Sequence, residues 1–288
     1  MSLAGLLEGA RPRIDGDTRL GLDDDVDEIL RSGFPAIRNY AGADRGAALR
    51  GYVDGVVQHD IPDELGRAVR RPDALRRRLR AYAAASGTTS SIERIRDAAH
   101  GGGGATPNRQ TTQAYRDALE RLWVVDDLPG WLPTQSHFAP LPKTSKRFLA
   151  DPALAASLVG AGKEKLLSGE SVEPSVPRDG TFLGALFEAL VALSVRVYAQ
   201  SAGASVSHFR EQHGRREIDL IVERPDGAVV ALEAKLSQTV DRDDVKHLTW
   251  LRDKLEDHLL DAAVVCVSPY AYRRKDGIAV VPLALLGP

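Results

Sequence analysis

Along the first part of the chain apolar positions recur at helical spacing, and beyond residue 200 they alternate or run unbroken as strands do. Asp23-Asp24-Asp25 puts acids in the first turn of a short helix through Ile29 and Leu30, which Ser32-Gly33-Phe34-Pro35 ends; Ala47 to Val57 forms another. Pro72-Asp73 opens an Arg-rich helix through Tyr82. Ser90-Ser91 caps a second from Ile92 to about Ala99, Gly101 to Gly104 ends it, and a third runs from about Asn108 to Leu122, with apolar contacts expected from Ala114, Leu119 and Leu122. Residues 160 to 180, rich in Gly, Ser, Pro and charge, read as a linker. After it the pattern predicts a helix (about 180 to 200), a strand (204 to 210), a hairpin (216 to 236), a helix (240 to 259) and strands near 262 to 268 and 278 to 284.

The expected organisation is therefore a helical region over 1–160, a linker over 161–180 and an α/β domain over 181–288 with the order αβββαβ and one more strand, a mixed α/β (α+β) fold. The helices between residues 73 and 122, followed by extended Trp123-Val124-Val125 and the turn Leu128-Pro129-Gly130, have the order of a helix-turn-helix with a wing. Its third helix would present Arg109, Gln110, Gln113 and Arg116 to phosphates and base edges of DNA. Domains of this order also serve as protein-interaction or spacer modules, and that alternative stays open.

Composition adds limits. Hydrophobic residues at 43% and charged residues at 27% are those of a soluble globular protein. The single cysteine, Cys266, lies in the run Ala262-Ala263-Val264-Val265-Cys266-Val267 and reads as a small buried hydrophobe, which excludes a disulfide framework or thiolate cluster. The longest apolar stretch, Phe182 to Val197, is interrupted by Glu188 and Arg196 and falls short of the roughly 20 residues that cross a bilayer. Met1-Ser2-Leu3-Ala4 lacks the basic-then-apolar pattern of a signal peptide, so a cytoplasmic location is expected. Between Arg67 and Arg147 there are 15 Lys and Arg against 7 Asp and Glu, an excess of 8, so with an overall charge of -2 the remainder carries -10. One part of the chain suits polyanions and the other suits cations, although such runs are as often solvated surface.

The hairpin carries the chemistry. Pro225-Asp226-Gly227 fits a three-residue loop with glycine at the left-handed position. If Arg224 pairs with Ala228, Asp219 lies opposite Glu233, and Glu233 and Lys235, two apart, share its face. Neighbouring carboxylates on an apolar strand repel unless a cation joins them. Asp219, Glu233 and the carbonyl of Ala234 would suit Mg²⁺ or Mn²⁺, with Lys235 orienting an attacking water or stabilising phosphoryl charge, and Glu188 on the preceding helix assisting through water or a second ion. The bland alternative is a salt bridge on an ordinary hairpin. His208 and Arg210, alternating on the adjacent strand, are candidates to meet a phosphate.

Neither Gly101 to Gly104 nor Gly162-Lys163-Glu164 is followed as a phosphate-binding loop requires, so no ATP site is expected. The histidines lack zinc-site spacing, and no Gly-X-Ser-X-Gly elbow occurs.

Thr181-Phe182-Leu183-Gly184-Ala185-Leu186-Phe187-Glu188, His208-Phe209-Arg210, Arg216-Glu217-Ile218-Asp219 and Leu232-Glu233-Ala234-Lys235 resemble the C-terminal nuclease-like domain, of PD-(D/E)XK type, that follows AAA+-type ATPase modules in many prokaryotic proteins and is catalogued as domain of unknown function 4143. Gly33-Phe34-Pro35, the helix ending His59-Asp60-Ile61, and Leu122 to Leu132 extend the resemblance upstream. It implies a metal-dependent DNA nuclease, or a DNA-binding nuclease-like module, with catalytic positions at Glu188, Asp219, Glu233 and Lys235. The alternative is a non-catalytic interaction or regulatory module. It also implies an ATPase module or partner, which this chain lacks: Ser2-Leu3-Ala4-Gly5-Leu6-Leu7 resembles the segment just after that module, as in a piece of a longer ATPase.

Overall fold

The protein is described by a computed structural model, which covers residues 1–9, 11–100, 109–133, 144–211 and 214–288, with the side chain of Arg109 excepted. The glycine run Gly101 to Gly104 lies outside the described residues. The chain has a helical N-terminal region followed by a seven-stranded mixed sheet. It divides into two compact units, one of residues 1–25, 128–145 and 190–288, the other of 26–127 and 146–189.

Helix α1 (Leu3–Leu7) and strand β1 (Asp15–Asp17) open the chain and belong to the sheet unit. The helical unit holds α2 (Leu22–Arg31, from Val26 onward), α3 (Pro35–Arg38), α4 (Gly42–Gly55), α5 (Ile61–Leu65), α6 (Pro72–Ala84), α7 (Ile92–Ala98), α8 (Arg109–Arg121), α9 (Pro152–Val159) and α10 (Lys163–Ser168). A π-helical turn, Val56–Asp60, joins α4 to α5. Ser91 caps α7 as its sequence predicts, its side chain accepting from the Arg94 N–H at 3.2 Å. Asp151, buried, caps α9 through the N–H groups of Ala153 (2.7 Å) and Leu154 (3.3 Å) while accepting from Ser32 Oγ (2.6 Å) and the Gly33 N–H (2.8 Å). One buried carboxylate thus starts a helix and pins the turn that ends α2.

The three helices of the expected helix-turn-helix are present, but residues 123–132 do not form one wing. Trp123, at a left-handed φ of 55°, turns the chain out of α8. Val125 then bridges antiparallel to Leu149, with Ala150 N–H donating to Val124 at 3.1 Å and Asp126 N–H to Phe148 at 3.0 Å. Once that later segment takes their hydrogen bonds, Val124 and Val125 have no hairpin partner to seek in 129–131. Those residues serve the sheet instead.

Helix α11 (Phe182–Ser201) contains the unit boundary between Ala189 and Leu190. It runs to Ser201, past the expected apolar stretch; its 20 residues make it long and apolar enough to cross a membrane by length and composition, and 56% of its most apolar part is buried within the protein. After it come β2 (Ser205–Arg210), β3 (Glu217–Glu223), β4 (Val229–Lys235), α12 (Arg242–Leu255), β5 (Leu259–Cys266), β6 (Tyr270–Arg273) and β7 (Ala279–Pro282), in the sheet order β1-β6-β7-β5-β4-β3-β2. β2, β3 and β4 form an antiparallel meander; the crossover through α12 makes β5 parallel to β4, and β7 is parallel to β5. The core joins Val245, Leu248 and Leu251 of α12 to Ile221, Val229, Ala231 and Val264 of the sheet. Cys266 is buried there.

The hairpin loop has the predicted form: Arg224 N–H donates to Ala228 at 2.9 Å, Gly227 N–H to Arg224 at 3.0 Å, and Gly227 sits at φ 84°. The same device recurs at Lys275-Asp276-Gly277, where Arg274 N–H donates to Ile278 at 2.9 Å and Gly277 has φ 85°. That hairpin adds β6, which the sequence reading omitted. At the far side, β2 shows an irregularity between Ser207 and Phe209, and there His208 N–H donates to Pro129 at 2.9 Å while Trp131 N–H donates to His208 at 2.7 Å. The edge of the sheet is thereby covered at its irregular point.

Candidate functional site

Leu220 pairs with Leu232, Ile221 with Ala231 and Val222 with Val230, so continuing the same register sets Asp219 opposite Glu233. The β3–β4 ladder stops at Leu220 and Leu232, although β3 continues along β2 to Glu217 and β4 along β5 to Lys235. In the opening, carboxylates replace carbonyls as main-chain acceptors. Asp219 N–H donates to Glu233 Oε2 at 3.2 Å, and Ala234 N–H donates to Asp219 Oδ2 at 2.9 Å. Each acid thus satisfies the N–H group that the parting strands would otherwise expose.

Lys235 Nζ stands 3.4 Å from Glu233 Oε1; Glu233 is buried and Asp219 and Lys235 half-buried. Desolvation pulls the Lys235 pKa down, but the charges of Glu233 and Asp219, joined by the Glu233 hydrogen bond and by Asp244 near the start of α12, outweigh it and hold the ammonium above its ordinary 10.5. The cluster lies at the carboxyl end of β4, where the sheet runs parallel, the customary place for ligands in such sheets. Asp219, Glu233 and Lys235 are therefore brought together as the hairpin predicts.

The donor chemistry suits a hard divalent cation: two carboxylates and, since the N–H and C=O of a strand residue share an edge, the Ala234 carbonyl on the side where Asp219 already takes the N–H. Among the described residues no group of three His, Cys, Asp or Glu side chains is gathered for a metal, so water would fill the rest of an octahedral shell.

Other expected residues are placed differently. Glu188 lies in the helical unit, where Oε1 accepts from Lys146 Nζ at 2.7 Å, with side-chain exposures of 13% and 2%. Lys146, the partner that sequence reasoning missed, is 42 positions away with no spacing to betray it. Next to it, Arg147 pairs with Asp127, which also accepts from Tyr82 at 2.5 Å and from Arg116 at 3.4 Å. Arg116, expected as an exposed reader of DNA, is turned inward to Glu120 and Asp127, because helical spacing places Glu120 one turn on and the turn after α8 brings Asp127 back. Gln110 and Gln113 are exposed, Gln113 donating to Asp117 at 2.6 Å; the side chain of Arg109 lies outside the described residues. His208 is buried at 1% exposure with Nε2 at 2.9 Å from the Thr144 carbonyl, and Arg210 pairs with Glu217. The bulge turns His208 inward, so the alternation expected to expose it beside Arg210 fails.

Residues 183–286 match the family described as Domain of unknown function (DUF4143). Residues 23–165 match a second, described as Domain of unknown function (DUF8612). No curated protein and no solved structure matches the chain.

Proposed function

We propose that the sheet unit is a metal-dependent phosphodiesterase acting on DNA. The observation that carries this reading is the convergence of Asp219, Glu233 and Lys235 where the β3–β4 ladder opens. Asp219, Glu233 and the Ala234 carbonyl would hold Mg²⁺ or Mn²⁺, whose role when bound is to neutralise phosphoryl charge and acidify a water. Lys235 contributes a fixed positive charge: held protonated by its two acids, it can orient a phosphate oxygen or donate to it as negative charge develops. Glu233, already accepting from Lys235 and the Asp219 N–H, fixes both in place. DNA as substrate, and an ATPase as partner, rest on the motif resemblance.

A second reading is favoured by one feature: each carboxylate already satisfies a strand N–H, so the cluster is a self-sufficient polar clamp in a silent nuclease-like module. Calorimetric titration of Mn²⁺ into the whole chain, its Asp219→Asn form and its Glu233→Gln form separates the two. Metal-dependent plasmid cleavage by wild type, with binding lost in both variants and cleavage alone lost in Lys235→Ala, is expected. Identical heats in all three proteins would leave only the clamp.

A further inference from the structure

With Arg116 turned inward from α8, a different run of cations in the helical unit stays in solvent, on the connector from α5 to α6 and on the outer side of α6. From Arg67 to Arg77 the chain carries five arginines against one acid, Asp73. Arg76 takes that acid at 3.4 Å and Asp54 at 2.7 Å. Arg67, Arg70, Arg71 and Arg77 are exposed, and no carboxylate pairs with them among the described residues. Local geometry holds them there. Gly66, at a left-handed φ of 62°, ends α5, and Pro72 opens α6 while keeping Arg71 before it extended, at φ -137° and ψ 78°. Leu75 and Leu79 are the buried side of α6, so Arg77, two positions from each, falls opposite them.

Beside this run stands an exposed aromatic ring. Trp123, just past the end of α8, is 70% exposed and holds a left-handed φ of 55°. A bulky residue rarely takes that region, and an indole in water forgoes the burial its size would reward, so both features mark a side chain held for contact. α5 packs on α8, where Arg121 pairs with Glu64. Trp123, two residues past Arg121, and Arg67, three past Glu64, therefore flank one ion pair. Glu64 is thereby engaged, and of the acids of α5 only Asp63 is left to set against the four cations.

Unpaired guanidinium groups in a row attract phosphates and release their counterions, while an aromatic face gives any unpaired base a surface to stack on. A duplex keeps its base faces hidden, so the indole adds only to the binding of a single strand. We infer that the α5–α6 connector and Trp123 form a docking surface for single-stranded nucleic acid, with Arg67, Arg70, Arg71 and Arg77 on backbone phosphates and Trp123 stacked on a base. The surface belongs to the helical unit and does not depend on the metal chemistry proposed for the sheet unit. The test is a fluorescence-anisotropy titration of the whole chain into labelled oligothymidylate, in EDTA so that no metal acts, at several salt concentrations. Saturable binding is expected, weakening by about 0.7 in log K per unit of log salt for each phosphate neutralised. Replacing Arg67, Arg70 and Arg71 together by glutamine should lower that slope by about two. Trp123→Gly, which relieves the backbone and removes the ring, should weaken binding about fivefold or more with the slope kept, and should abolish part of the tryptophan quenching that binding produces. All these side chains are exposed, so far-UV circular dichroism should match wild type in both variants. Absence of binding to the strand, or equal affinity and slope in wild type and both variants, would overturn the assignment. So would capture of phosphatidylserine vesicles without capture of the strand, which would make the surface a membrane contact.

Discussion

Replacing Lys146 by methionine removes an ammonium that is 2% exposed from beside the Glu188 carboxylate, 2.7 Å away and 13% exposed. Breaking a buried pair from one side costs about 3–5 kcal/mol, because the surviving charge has lost its compensation and remains desolvated. Glu188→Gln attacks the same pair from the other side. It keeps an acceptor for the ammonium, so its cost falls at the lower end, about 3 kcal/mol. The double replacement Lys146→Met with Glu188→Leu removes both charges and should return to within about 1 kcal/mol of wild type. The assay is urea unfolding followed by far-UV circular dichroism, with midpoints and slopes compared across wild type, these three variants and the Glu188→Leu single variant that closes the cycle. A coupling energy well above 1 kcal/mol is expected from the cycle. Single variants costing under about 1 kcal/mol, with costs that simply add in the double, would refute the reasoning. Mn²⁺ titration of the same set adds a second readout: a Glu188 occupied with Lys146 predicts unchanged metal affinity in Glu188→Gln.

Further outcomes follow from other contacts. Tyr82→Phe deletes the 2.5 Å hydrogen bond to Asp127 and should cost about 1.5–3 kcal/mol in the same unfolding assay, the range for a bond to a charged group. Gly87→Ala, at φ 72° and with its new Cβ 2.9 Å from that of Ala185, should cost about 1–2 kcal/mol for the left-handed backbone plus about 1–3 kcal/mol for crowding, whereas Gly160→Ala, at φ 66° with nothing within 4 Å, should show only the first; equal losses would mean that Ala185 yields freely. Because the folded state raises the Lys235 pKa above 10.5, the ion pair's contribution is fully present below that pH and is lost as pH rises through the raised value. The stability gap between wild type and Lys235→Gln should accordingly be level from neutral pH to about 10 and close above it, as measured by urea midpoints at stepped pH; a gap that widens instead would contradict the sign.

The hairpin was the most legible part of the chain. Pro225-Asp226-Gly227 dictates a loop of fixed length, the loop fixes the register, and the register sets Asp219 against Glu233 without further information. Strand β6 was missed because Tyr270–Arg273 is short and polar, although the following Asp276-Gly277 carries the same turn signal. β1, an Asp-Gly-Asp segment, has no strand signature at all and is extended only because β6 offers it an edge. The charges of the helical unit were the least legible. A count of Arg and Lys predicts a cationic surface, but Arg78 donates to Thr112 on another helix, Lys146 pairs with Glu188 on α11, and Arg116 and Arg147 meet at Asp127 beyond the end of α8; apart from the Arg116–Glu120 pair, no spacing along the sequence encodes these meetings.

The sheet unit is assembled from three stretches that are far apart in sequence. Helix α1 packs on β4 and β5, with Leu3, Leu6 and Leu7 buried; β1 lies along β6; and Pro129–Trp131 shields β2 at its bulge. This arrangement has a consequence for biosynthesis. The early stretches must wait on the ribosome until the last strands emerge, so the unit closes late and through distant contacts, which slows folding. A recombinant fragment beginning near Asp179 would lack the residues that shelter both edges and one apolar surface, and it should be recovered from expression as aggregate, whereas the whole chain is recovered in solution.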